Sequence, residues 1–209
     1  MDIEIKNTTE ILQDYLNYIQ DEVKIKKTPL GFEKIDKLLN GGLPNGLITL
    51  GAIPSLGKTT FMLQVADNMA SLENTKVLFF SLEMSRYNLI SKSLSRLTYL
   101  NENLQDLTYD ELEFNNENVD FNSILADYEP IANNLYTIDY IYDIRDIVAF
   151  ITQFRECNFN SNIVVIIDYL LYILSGGEND KQAIDLITKR HKEISKSLGK
   201  KKDTISSLK

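Results

Sequence analysis

Three short stretches of this chain carry residue types and spacings suited to phosphate and metal chemistry. The first is Ala52-Ile53-Pro54-Ser55-Leu56-Gly57-Lys58-Thr59-Thr60, placed directly after the apolar run Leu47-Ile48-Thr49-Leu50. A buried strand, a small-residue loop, Gly-Lys-Thr and an apolar helical pattern together make a phosphate-binding loop. Backbone N–H groups between Ala52 and Thr60 would cradle the phosphates, with Pro54, Ser55, Leu56 and Gly57 shaping the turn. The following helix would present its positive end to them. Lys58 would reach the β- and γ-phosphates as a point charge, and Thr59 would offer its hydroxyl to Mg²⁺. The strict pattern has glycine where Ala52 stands, and Gly51, one residue earlier, does not restore the spacing. The competing reading is a structural loop that happens to contain these residues.

The second stretch is Ile163-Val164-Val165-Ile166-Ile167, which ends in Asp168. A carboxylate at the C-terminal end of a buried parallel strand sits where such sheets bind ligands, so Asp168 could hold Mg²⁺-bound water opposite Thr59. An aspartate there can also simply cap a turn. The third is Val77-Leu78-Phe79-Phe80-Ser81, followed by Leu82-Glu83-Met84. Glu83 is placed to act as general base on a water attacking the γ-phosphate. Spacing alone leaves open a second role, as an acidic charge at a helix N-terminus capped by Ser81 or Ser85.

The elements that must position these residues follow from periodicity. Alternation predicts strands at Leu47–Ile53, Lys76–Ser81, Asn134–Ile138 and Ile163–Ile167, and helices at Lys58–Ser71, Arg86–Leu97, Ile144–Arg155 and Lys181–Leu198. Short β-rich runs between helical patterns indicate a parallel sheet wrapped by helices. Ahead of them, a helix capped by Thr8 or Thr9 runs to about Val23, with Ile11, Tyr15, Leu16, Ile19 and Val23 on one stripe. A short helix at Glu33 to Leu39 precedes the turn-rich Asn40-Gly41-Gly42-Leu43-Pro44-Asn45-Gly46. His191 falls on the apolar face of the last helix, with Ile184, Ile187, Ile194 and Leu198, and reads as a core-edge histidine rather than a ligand.

With 209 residues and 44% apolar composition, the chain can bury one ordinary core. The one cysteine, Cys157, excludes a disulfide framework and fits a reducing compartment. The polar N-terminus has no signal-peptide pattern. The longest apolar run, Ile163 to Leu174, is short for a membrane span and contains Asp168. A soluble, cytoplasmic protein with no membrane partner is expected. Net charge is −8, which argues against a general nucleic-acid footprint. The imbalance is local: nine acidic residues lie in 101–129, and without them the acidic total falls from 30 to 21, against 22 Lys and Arg. That segment reads as a helical excursion with a solvated face.

Further residues carry a family resemblance. Thr28-Pro29-Leu30-Gly31-Phe32 and Asp36-Lys37-Leu38-Leu39-Asn40-Gly41-Gly42-Leu43 resemble the start of a RecA-like ATPase core. With the phosphate loop, Phe80-Ser81-Leu82-Glu83-Met84-Ser85 and Ile167-Asp168-Tyr169-Leu170, the chain resembles the C-terminal motor domain of DnaB-type replicative helicases, in mobile-element versions, over about residues 28–198. The resemblance implies an α/β fold with a mainly parallel sheet and helices on both faces. It also implies Mg-ATP, a catalytic Glu83, a ring-type homo-oligomer and single-stranded DNA in a central channel. Residues 1–27 would then be an arm whose helix packs on an adjacent subunit or a full-length helicase, and 28–209 the core.

Two departures matter. The family has Gln where this chain has Leu171, which cannot hydrogen-bond a γ-phosphate. After Glu193-Ile194-Ser195-Lys196-Ser197-Leu198 the family pattern stops, short of the DNA loops, arginine finger and outer strands. Loss of the next strand would open a gap in mid-sheet with unpaired backbone on both sides. Asp203-Thr204-Ile205-Ser206-Ser207-Leu208 resembles the end of that strand, but Lys200-Lys201-Lys202 replaces its apolar lead-in. Either this tail supplies the strand, or the chain is a shortened remnant with a disordered tail. The functional expectation is an ATPase impaired when alone, set against a non-catalytic nucleotide- or helicase-binding module.

Overall fold

The computed structural model describes residues 7–23, 27–114, 117, 119–168 and 204–208. Five strands form one parallel sheet: β1 (Gly46–Leu50), β2 (Thr75–Ser81), β3 (Leu135–Ile138), β4 (Asn162–Asp168) and β5 (Thr204–Leu208). Their order across the sheet is β1-β5-β4-β2-β3. β5 therefore lies between β1 and β4 and pairs with both, Gly46↔Thr204 to Leu50↔Leu208 with β1 and Val164↔Thr204 to Ile167↔Ser207 with β4. The open gap expected for a shortened chain is not formed. The backbone groups of β1 and β4 demand a partner, and the tail meets that demand without the apolar lead-in.

Seven helices are described: α1 (Thr8–Val23), α2 (Glu33–Leu38), α3 (Lys58–Ala70), α4 (Arg86–Leu100), α5 (Tyr109–Phe114), α6 (Phe121–Ala132) and α7 (Ile144–Cys157). Strand residues alternate between two cores, so both faces of the sheet are covered. Val77, Phe79, Val164 and Ile166 pack with Met62, Leu63, Val65, Ala66 and Met69 of α3 and Leu89 of α4. Leu78, Phe80, Val165 and Ile167 pack with Ile147 and Ile151 of α7 on the other face. The acidic excursion becomes α5 and α6, whose Leu112, Ile124 and Tyr128 bury a satellite cluster with Leu94 of α4.

Several boundaries differ from the expected ones. β1 stops at Leu50, not Ile53, because Gly51 to Pro54 leave the ladder and Ile53 turns to solvent at 70% exposure. The cap of α1 is Asn7, not Thr8 or Thr9. Its Oδ1 accepts from the Glu10 amide at 3.1 Å while Glu10 Oε2 accepts from the Asn7 amide at 2.8 Å, a reciprocal capping box. Of the expected stripe of α1, Ile11, Tyr15 and Leu16 are exposed, as is Leu12 beside them. The helix expected at Lys181–Leu198, with His191, and Leu171 lie outside the described residues.

The turn before β1 is tied down by its own geometry. Thr28 and Leu43 exchange backbone hydrogen bonds at 3.0 and 2.8 Å. The Asp36 carboxylate accepts from the amides of Leu30 at 2.7 Å and Gly31 at 3.0 Å. Gly42 sits at φ +126, where a Cβ would lie 2.3 Å from the Thr28 carbonyl oxygen, so the position requires glycine.

Candidate functional site

β1 delivers the chain into a loop that reverses at Ser55 (φ 62) and Gly57 (φ 87) before α3 begins at Lys58. Gly57 is the N-terminal flank of α3, and its carbonyl accepts from the Phe61 amide at 2.9 Å, so Lys58, Thr59 and Thr60 form the first turn. The first turn of a helix leaves its amides without an intrahelical acceptor, and the helix dipole makes that end positive. Pro54, Ser55, Leu56 and Gly57 are exposed, whereas Ala52, Lys58 and Thr59 are half-buried. At Ala52, where glycine was expected, the loop accommodates a side chain without burying it fully.

Asp168 ends β4 in register with Ser81, the last residue of β2. The Asp168 carbonyl accepts from the Leu82 amide at 2.7 Å, extending the ladder by one step and fixing the turn that carries Glu83. Ser81 Oγ closes that turn, donating to the Met84 carbonyl at 2.6 Å and accepting from its amide at 3.2 Å. Ser85 then caps α4 by accepting from the Asn88 amide. Of the two capping candidates, Ser85 takes the role, and Glu83 stands outside the helix on an exposed turn.

Lys58, Thr59 and Glu83 converge on Asp168. Asp168 is 1% exposed, and neither carboxylate oxygen has a hydrogen-bond partner of ordinary geometry. Burial pushes its carboxyl above the usual carboxylate range. The Thr59 hydroxyl and the Lys58 ammonium lie near enough to pull it down, and Glu83 near enough to push it further up. A buried carboxylate with two open oxygens, beside a hydroxyl and a second carboxylate, suits a hard cation that brings its own water. The donor set therefore fits Mg²⁺, which Thr59 and Asp168 would hold.

Pattern reading missed two supports of this site. Asp139, just past β3, accepts from the Arg86 amide at 2.9 Å and pairs with Arg86 Nε at 3.4 Å, so it anchors the first turn of α4. Asp67 of α3 is buried at 1% exposure, where its apolar neighbours in sequence gave no sign of a partner. Ser93 Oγ donates to it at 3.0 Å and Arg96 Nη1 lies 3.5 Å away.

A parallel sheet with a Gly-Lys-Thr loop after its edge strand and an acid ending a central one defines a RecA-like P-loop domain. The family model described as the DnaB-like helicase C-terminal domain matches residues 28–201, and the chain belongs to that family. It is 38% identical over 88 residues to the replicative DNA helicase DnaB of Geobacillus stearothermophilus, covering 40% of this chain and 19% of that protein. It is 43% identical over 61 residues to the replicative DNA helicase DnaC of Bacillus subtilis, covering 29% of this chain and 13% of that one. The aligned stretches thus span under a fifth of those relatives. Among solved structures, a DnaB-like replicative helicase described with its primase interactions superposes with a TM-score of 0.79 at 21% identity, covering all of this chain and 49% of that one. A second, described as an ATPase domain, gives 0.74 at 21% identity, covering 98% of this chain and 72% of that one. Among the described residues, no helix is long and apolar enough to cross a membrane.

Proposed function

We propose that this helicase-motor-like domain binds Mg-ATP in the loop from Ala52 to Thr60 and hydrolyses it. The observation that carries the reading is the buried, unpartnered Asp168 carboxylate within electrostatic reach of Thr59, Lys58 and Glu83. Lys58 and the first-turn amides of α3 hold the β- and γ-phosphates. Thr59 and Asp168 hold Mg²⁺, which when bound neutralises phosphate charge. Glu83, exposed on its turn, takes the proton of the attacking water, and the leaving phosphate charge remains against Lys58 and the helix N-terminus.

Family membership extends the proposal to a ring of subunits acting on single-stranded DNA, within a protein of DNA replication. ATP hydrolysis by the parent chain, abolished by Lys58→Ala and by Glu83→Gln, is the expected result. Hydrolysis by Lys58→Ala at the parent rate would overturn the assignment.

A second reading rests on α1, whose Ile11, Leu12, Tyr15 and Leu16 stand exposed on a capped helix. In that reading the domain docks on a full-length helicase through α1 and modulates it. Capture by such a helicase that is lost on deleting residues 8–23, with no hydrolysis by the parent, would favour it.

A further inference from the structure

α3 carries Lys58 and Thr59 at its N-terminus, and α4 follows directly on the turn that carries Glu83. How these two helices sit against each other fixes the general base relative to the phosphates. Leu89 contributes an apolar contact within the cluster that α3 builds, and such contacts set a separation but have no direction. A polar link runs between the helices. Ser93 Oγ donates to Asp67 Oδ1 at 3.0 Å, Arg96 Nη1 stands 3.5 Å from Asp67 Oδ2, and Arg96 Nη2 donates to Asn68 Oδ1 at 2.7 Å. Asn68 Nδ2 donates onward to the Leu30 carbonyl at 3.0 Å, in the turn that Asp36 organises. Gly31 lies close enough to Asn68 that a Cβ there would sit 2.5 Å from its Nδ2.

Resting on the ATPase reading, we propose that Asp67, Ser93 and Arg96 are positioning residues that set the register of α4 on α3 and so place Glu83 for hydrolysis. Hydrogen bonds are directional and apolar packing is not, so the link specifies one register where packing would tolerate several. Burying a carboxylate at such a contact costs stability that an apolar pair would not. Burial indeed raises the Asp67 carboxyl to about 6, against lowering effects from Ser93, Arg96 and Tyr128. The link lies about 14 Å along α3 from Lys58 at 1.5 Å per residue, so it touches no substrate and acts through the helices.

The test compares the parent with Arg96→Met, which keeps much of the stem, and with Arg96→Lys. Arg96→Met should lower kcat for ATP hydrolysis about tenfold or more, since small misplacements of reacting groups are costly. Its affinity for a non-hydrolysable Mg-ATP analogue should stay within about twofold, and Arg96→Lys should recover part of the rate. An unchanged kcat, or kcat and affinity falling together with the melting temperature, would overturn the proposal. If Arg96→Met does not fold, Ser93→Ala replaces it, because it leaves the Asp67 charge paired. A second readout needs no hydrolysis: spin labels at Glu73, on the turn that follows α3, and at Tyr87 of α4, with Cys157 changed to Ser, report how α4 sits against the C-terminal end of α3. A broadened or shifted distribution in the variant is expected, and an unchanged one sinks the positioning role even if the parent proves not to be an ATPase.

Discussion

Replacing Asp67 by Asn should stabilise the domain at pH 8 and lose that advantage as the pH falls. Asp67 is 1% exposed, and its carboxyl titrates at about 6 in the fold against 3.8 as the ordinary value. A folded carboxyl with a raised pKa binds its proton more tightly than the unfolded chain does. The stabilisation linked to that proton is complete below 3.8 and lost as the pH rises through about 6. In full it amounts to about 3 kcal/mol, of which roughly half is present at pH 5 and almost none at pH 8. The Asp67→Asn chain has no such titration, and its amide can still accept from Ser93. Urea unfolding of both chains at pH 5 and pH 8 measures the difference directly. Carboxylates elsewhere, such as Asp143 held at about 2 mainly by the Arg145 hydrogen bond, titrate in both chains and cancel. The variant's stability minus the parent's should be larger at pH 8 than at pH 5 by about 1 kcal/mol. A difference that is constant across the two pH values would refute the claim that burial holds this carboxyl high.

Other substitutions probe the site and its supports. Asp168→Asn should raise the melting temperature without nucleotide, because burial disfavours its charged form more than Thr59 and Lys58 offset, and should abolish the Mg²⁺-dependence of nucleotide binding; an unchanged Mg²⁺-dependence by calorimetry would remove Asp168 from the metal site. Ser85→Ala should cost about 1 kcal/mol through loss of the α4 cap, lowering the melting temperature by roughly 2–4 °C. Gly42→Ala should prevent cooperative unfolding or lower its midpoint sharply, since its Cβ would meet the Thr28 carbonyl at 2.3 Å; a variant as stable as the parent by circular dichroism would contradict that geometry.

The sheet and its wrapping helices were legible because period-2 and helical patterns are strong in buried strands such as Val77–Phe80 and Ile163–Ile167. The place of Asp168 was legible for the same reason, since it ends a strand that the pattern marks, and the loop before α3 was legible through its Gly57-Lys58-Thr59. The end of β1 was misjudged because Ile53 is apolar and yet exposed, and periodicity counts composition rather than burial. β5 could be read only as one of two alternatives, since its place depends on unpaired backbone in β1 and β4 rather than on its own hydrophobicity. Asp67 gave no sequence signal at all: its partners Ser93 and Arg96 stand on another helix, and only the packing of α3 on α4 brings them together. Asp139 was missed likewise, because it follows β3 and yet anchors the start of α4, a helix that lies well before it in the chain.

The central claim, a working Mg-nucleotide site, is tested most directly by thermal unfolding with and without Mg²⁺ and a non-hydrolysable ATP analogue. At about 100 times its dissociation constant the ligand should add roughly 2.7 kcal/mol, an upward shift of about 5–11 °C for a domain of this size. Lys58→Ala should show little of that shift. A cooperative transition in the parent that does not move with ligand would contradict the account, leaving a folded domain whose phosphate loop is empty of function.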